Sequence, residues 1–275
     1  MKKHFLILWA VTCLFVGCEE RNNPDDSKGD DFSPVFSVGV NTKVEFSSGN
    51  LQYHPQNDKW RFAENQWDYV GYGNENISNT YDGWIDLFGW GTGDNPTNMD
   101  WEYFFSDDVY FTDWGINKIG SDSPNTWRTL SQDEWDFLID QRQSANSLKG
   151  IAQVNGVNGL IILPDNWACP NGVNFVSGTP NIPDDEDDKT YYATHQTFSQ
   201  EEWRKMEEAG AIFLPAAGQR DDYDVVDVQS TGFYWSSTYC YSAPAELWFY
   251  VGDAFVNENN SGAYVGQSVR LVKDL

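Results

Sequence analysis

The chain has 275 residues, 42 acids against 17 bases and a formal net charge of -25. That balance argues against nucleic acid or an anionic membrane surface as a partner, since both would repel it. Aromatic residues make up 16% of the sequence and 13 of them are tryptophan. Part of this must be core; part is expected on the surface, where Tyr and Trp give large contact area at low entropy cost.

Lys2 and Lys3 precede an apolar run from Phe5 to Val16, the length of a signal-peptide core and too short to span a bilayer. The run ends in Phe15-Val16-Gly17-Cys18, which resembles a lipobox. In such signals the cysteine thiol is acylated and becomes residue one after cleavage; an ordinary secretory signal with Cys18 incidental is the alternative. Glu19–Asp31 is polar and acidic with no apolar residue, so it cannot offset its conformational entropy by burial and is expected to be disordered. An acidic stretch directly after a lipidated cysteine also resembles the surface-export signal of Bacteroidetes lipoproteins. The expected organisation is therefore a lipoprotein signal (1–17), an acidic tether (18–35) and one domain (36–275). The expected location is the outer membrane, facing outward, with membrane contact through the lipid alone.

Phe36–Phe46 alternates loosely around Asn41-Thr42 and reads as a hairpin. Leu51-Gln52-Tyr53 and Lys59-Trp60-Arg61-Phe62 read as a second strand pair. Gly71–Asp113 is rich in turn formers yet carries Trp84, Phe88 and Trp90; a long loop packed by its own rings is expected. Ser131-Gln132-Asp133-Glu134 and Ser199-Gln200-Glu201-Glu202 both fit the capping box, in which the serine hydroxyl and the glutamate satisfy each other's backbone N–H. Helices are predicted from there to about Arg142, with Trp135, Leu138 and Ile139 inward, and to about Ala209, with Trp203 and Met206 inward and Gly210 as the cap. Capping accounts for these glutamates without catalysis. Gly159–Pro164 and Ala211–Pro215 are short apolar runs, expected as buried strands. Asp184–Asp188 is a run of five acids without the spacing or turn glycine of a calcium loop, and reads as a solvated loop.

Thr231–Thr238 reads as one strand. Glu246–Tyr250 alternates, with Leu247 and Phe249 on one face and Glu246, Trp248 and Tyr250 on the other. Phe255-Val256-Asn257 follows a Gly252-Asp253 turn, and Gly266–Val272 reads as a buried strand. Between them lie tips rich in Tyr, Ser, Asn and Glu, a paratope-like composition on a strand scaffold. Tyr239, Tyr241 and the Asn tip are expected to be exposed. For Trp248 the pattern leaves two readings open, a surface ring or one packed under the long loop.

Gly232–Thr238, Leu247-x-Phe249 and Gly266–Lys273 resemble the C-terminal signature of the Fibrobacter major paralogous domain. The same signature recurs in Bacteroides surface lipoproteins and in the variable proteins of diversity-generating retroelements. Trp127–Trp135, Phe213–Arg220 and Phe46–Tyr53 also fit this group, so the resemblance covers nearly all of Phe36–Leu275. It implies an α+β, C-type lectin-like fold of the formylglycine-generating-enzyme type: two capped helices around a small twisted antiparallel sheet with long aromatic-rich loops. It also implies a ligand surface between the fixed C-terminal motifs, formed here by Tyr239, Tyr241, Ser242, Glu246, Trp248, Tyr250, Asp253, Phe255, Asn257, Glu258, Asn259 and Tyr264. The Glu-Pro-Asn, Gln-Pro-Asp and Trp-Asn-Asp motifs of calcium-dependent lectins do not occur, and Cys240 does not match the cysteine pair of the formylglycine enzymes.

Other chemistry finds little support. Cys169 and Cys240 match no metal-site spacing, His54 and His195 stand alone, and export leaves a Cys169–Cys240 disulfide open. Asp86, Asp165 and Glu134 are acids without an evident catalytic partner. The expectation is a surface-displayed module that binds a protein or glycan ligand, or a structural subunit of a surface assembly such as a fimbria-associated protein. It is not expected to be an enzyme or to carry a cofactor or metal.

Overall fold

Local alternation sets most of the strands. β1 (Phe36–Ser37) and β2 (Lys43–Phe46) form the first hairpin, with Phe36 opposite Val44. Phe36, Val44 and Phe46 are buried while Lys43 is exposed, the inside–outside pattern of a strand covered on one face. β3 (Leu51–His54) and β4 (Lys59–Phe62) form the second hairpin, turned at Pro55–Asn57 and by Asp58 at φ 47°. The computed structural model describes residues 34–100, 110–180, 188–257 and 261–275. Cys18, the signal-like and acidic segments, most of the five-acid run, Glu258 and Asn259 lie outside the described residues. Ser33–Leu275 clusters as one compact unit.

The two apolar runs expected as buried strands are strands, and they pair antiparallel with each other. β5 (Lys149–Val154), β6 (Val157–Ile162), β7 (Thr197–Phe198) and β8 (Ile212–Pro215) form a sheet in the order β7-β5-β6-β8. It is buried on both faces. Ile151, Leu160, Ile162, Ile212 and Leu214 enter one core, and Ala152, Val154, Ile161 and Phe213 enter another. This explains why Leu160–Leu163 is continuously apolar rather than alternating.

Both capping boxes are present. Glu134 N donates to Ser131 Oγ at 3.3 Å and Ser131 N donates to Glu134 Oε2 at 2.8 Å; Glu202 and Ser199 repeat the exchange at 3.3 and 2.9 Å. They start α1 (Gln132–Asp136) and, after α2 (Asp188–His195), α3 (Gln200–Glu208). α1 widens into a π turn over Phe137–Gln141. Gly210 follows α3 at φ +92°, a backbone position that favours glycine.

The lectin-like α+β architecture is not found. Of the described residues 33% are strand and 19% helix, in five small sheets and short helices, not two capped helices on one sheet. The physical reason lies in the shortness of the strands. Most are two to six residues, enough to close a hairpin, and neighbouring sheets are linked only by isolated bridges such as Tyr234 to Ser268 and Arg128 to Val272. The remaining sheets are β9 (Gln219–Asp221) with β10 (Asp224–Val226), β11 (Thr231–Cys240) with β12 (Ala243–Tyr250) and β13 (Asp253–Asn257), and β14 (Val272–Asp274), which pairs with β2. Gly266–Leu271 is not a sheet strand either. It is a buried extended segment that makes single bridges to Arg220, Phe88 and Tyr234, and Val272 adds one to Arg128.

The long loop is packed by rings, as its composition predicts. Ile77, Ile85, Phe88, Trp90 and Trp114 join Leu51, Tyr53, Trp60, Trp235 and Leu271 in an aromatic core. Ring contacts run from Tyr53 to Trp60 (4.5 Å), Phe88 (5.6 Å) and Trp114 (6.2 Å), then through Phe111 (5.7 Å) to Trp90 (5.0 Å). Trp235 Nε1 donates to Phe88 O at 2.7 Å and Trp90 Nε1 to Ser236 O at 2.8 Å, so these indoles are fixed in orientation as well as buried.

Candidate ligand-binding surface

β11, β12 and β13 are antiparallel neighbours, with Phe233 opposite Trp248 and Trp248 opposite Phe255. One face of this sheet is core. Tyr234, Leu247, Phe249, Val251 and Ala254 are buried there, and the Phe249 ring occupies the space that a side chain at Gly232 would need, 2.1 Å from its ideal Cβ. The other face carries Phe233, Trp248 and Phe255 as one row across the three strands. Phe233 stacks on Trp248 at 5.9 Å and 16°, Trp248 meets Phe255 at 5.1 Å, and Tyr250 lies 6.3 Å from Trp248. Phe233 is buried, while Trp248, Tyr250 and Phe255 are half-buried. Trp248 therefore takes neither extreme that the sequence left open.

The β11–β12 tip extends this surface. Tyr239 and Tyr241 are 46% and 93% exposed, and Ser242 is exposed as well. Tyr239 is held on two sides: its ring lies 5.3 Å from Trp90 and its hydroxyl donates to Ser242 O at 2.9 Å. Tyr241 sits at φ 49°. Asp253 is exposed at the start of β13, and Tyr264 is half-buried beside the aromatic core. Asn257 ends β13.

Glu246 needs correction as a surface residue. It shares a strand face with Trp248, as alternation predicts, but is fully buried and bonded to Gln267. The Ala263–Ser268 segment crosses that end of the face, and nothing in the strand's own sequence signals the crossing. Phe233 and Trp90, one completing the ring row and the other seating Tyr239, were not among the expected site residues. Phe233 was not singled out by pattern, because Phe233-Tyr234-Trp235 are three consecutive aromatic residues in a continuously buried stretch of β11.

The acids are occupied by the fold. Asp86 is fully buried, and its carboxylate accepts from Val70 N at 2.8 Å and Asn74 Nδ2 at 2.9 Å. Burial pushes its pKa up to about 6, against the lowering effect of those bonds and one from Gln52. Asp165 accepts from Ser37 N, Ser37 Oγ and Arg142 Nη1 at 3.0, 2.6 and 3.0 Å, beside a cavity of about 590 Å³ lined also by Phe137 and Ser144. Glu134 receives two bonds from the Arg128 guanidinium at 2.8 and 2.7 Å, and Asp274 shares the same arginine. Arg220 and Arg270 are buried, which lowers both toward about 10.

No disulfide joins the two cysteines: Cys169 is exposed, and Cys240 Sγ lies 2.7 Å from Gln132 Oε1. Among the described residues no group of three His, Cys, Asp or Glu side chains is placed to hold a metal ion, and no helix is long and apolar enough to cross a membrane. No protein-family model, no curated protein and no solved structure matches the chain. The surface therefore has to be read from its own chemistry: aromatic, supported from behind by core, with the exposed Asp253 at one end of β13.

Proposed function

We propose that this protein is a recognition module, displayed at the cell surface through a lipid on Cys18, which binds a protein or glycan ligand across the outer face of β11–β13. The observation that carries the reading is the half-exposed row of Trp248 and Phe255, continued by Tyr250 and by the Tyr239–Tyr241 tip, on a sheet whose other face is sealed in core. Rings fixed in place lose little entropy on binding and bury large area, so such a face supports recognition better than it supports chemistry. The resemblance to Bacteroides surface lipoproteins points the same way.

The test is the combined variant Tyr239→Ala, Tyr241→Ala, Trp248→Ala, compared with the parent on glycan arrays and against cell-surface protein extracts. Loss of these three rings is expected to weaken any ligand found by at least about tenfold, with the thermal midpoint still in the folded range. Undiminished binding by a folded variant would overturn the assignment of this surface.

A further inference from the structure

The cavity of about 590 Å³ beside Asp165 is formed by the β1–β2 turn and the chain leaving the π turn. Ser37 and Val40 line it from the first, Phe137, Arg142 and Leu148 from the second, and Asp165 is bonded to both Ser37 and Arg142. None of the lining residues belongs to β11, β12 or β13. The volume falls within the range of small-molecule sites, about 300–1,000 Å³. The backbone around it is irregular: the π turn ends at Gln141, and Ser144 lines the cavity at φ 63°. Such departures cluster at ligand sites.

Arg142 is 4% exposed, and its bonds do not exhaust it. Nε donates to Leu138 O at 2.8 Å, Nη1 to Asp165 Oδ1 at 3.0 Å and Nη2 to Leu148 O at 3.4 Å. A guanidinium has five N–H donors and a carboxylate about four acceptor positions. Asp165 Oδ2 takes two bonds from Ser37, and Oδ1 takes the one from Arg142. Among the described residues, two guanidinium N–H groups and one position on Oδ1 therefore have no partner, on adjacent groups of the cavity wall.

The charges decide what can bind there. Arg142 and Asp165 are the charged residues among those lining the cavity, and they cancel. An anion would meet Asp165 and a chain of net charge -25; a cation would meet Arg142. A hydroxyl satisfies both, because it donates and accepts. Phe137, Leu148 and Val40 add apolar surface, which suits the C–H groups of a hydroxylated ring. We infer that this cavity binds a single neutral sugar ring, with one hydroxyl seated between Asp165 Oδ1 and the Arg142 guanidinium and the C–H face of the ring against Phe137. Such a site is separate from the β11–β13 face and does not depend on it.

The probes are methyl β-glucopyranoside, methyl β-galactopyranoside and methyl α-mannopyranoside, each titrated into the full chain and followed by NMR at the Val40 and Leu148 methyl groups. At least one is expected to bind and to shift both residues. The corresponding uronic acid and amino sugar, which bring an unpaired charge into the cavity, are expected to bind at least about tenfold more weakly. Val40→Trp narrows the mouth without touching the Arg142–Asp165 pair and is expected to weaken binding at least about tenfold through steric exclusion. Asp165→Asn exchanges a charge-assisted bond for a neutral one and is expected to cost about tenfold. Equal binding of neutral and charged sugars, undiminished binding by folded Val40→Trp, or no binding of any of the three probes each overturns the inference. Shifts confined to β11–β13 would place the sugar on the aromatic face instead, which overturns the cavity assignment while the recognition surface stands.

Discussion

Tyr241 is a bulky aromatic residue at φ 49° that is 93% exposed. A positive φ is costly for such a side chain, and the ring recovers almost nothing by burial. Tyr241→Gly is expected to raise stability by up to about 1 kcal/mol, because glycine adopts this conformation without strain. The same change should weaken ligand binding, and paired denaturation and binding curves would show whether the two move in opposite directions. At this scale the sequence was informative about exposure at the tips, since Tyr239 and Tyr241 lie in a short turn between strands. It was uninformative for Glu246, whose burial is imposed by a segment about twenty residues further along the chain.

Among elements, β11 depends on what it lacks. Gly232 leaves room for the Phe249 ring, which then stacks on Tyr234 at 6.0 Å. Gly232→Val would place methyl groups where that ring lies. Overpacking of this kind costs about 1–3 kcal/mol, and it should also disturb Trp248, the residue before Phe249, so reduced tryptophan burial is expected in fluorescence along with a lower urea midpoint. Hairpins, capping boxes and the β6–β8 runs were legible because each is written in consecutive residues. α2 was not: Asp188–His195 has only Tyr192 fully buried among its described side chains and lacks a periodic apolar stripe. The number of sheets was not legible either. It is set by contacts such as Tyr234 to Ser268 and Arg128 to Val272, which link segments far apart in sequence and leave no local pattern.

For the molecule as a whole, the fully buried carboxyl of Asp86 couples stability to pH. Its folded pKa of about 6 lies above the ordinary 3.8, so the folded state holds the proton more tightly than the unfolded state. Its contribution is therefore most favourable below about pH 4, falls as pH rises, and levels off above about pH 6. With about 1.4 kcal/mol for each pH unit between the two pKa values, the change is on the order of 3 kcal/mol. Asp86→Asn has no such proton to lose. The stability of the parent relative to this variant is expected to fall by that amount between about pH 3.5 and pH 7, measured by urea denaturation across the range; a difference independent of pH would show that Asp86 titrates normally.

The pairing of β14 with β2 has a topological consequence. Ser37 lies opposite Lys43, and Leu275 N donates to Lys43 O at 3.1 Å, so the first and last described strands leave the domain within two strand widths of each other, about 10 Å. A short linker could join them, and the exposed Asn155-Gly156 turn between β5 and β6 offers a place to open new ends. The architecture therefore lends itself to circular permutation, and to grafting into a loop of a carrier protein with the aromatic face intact.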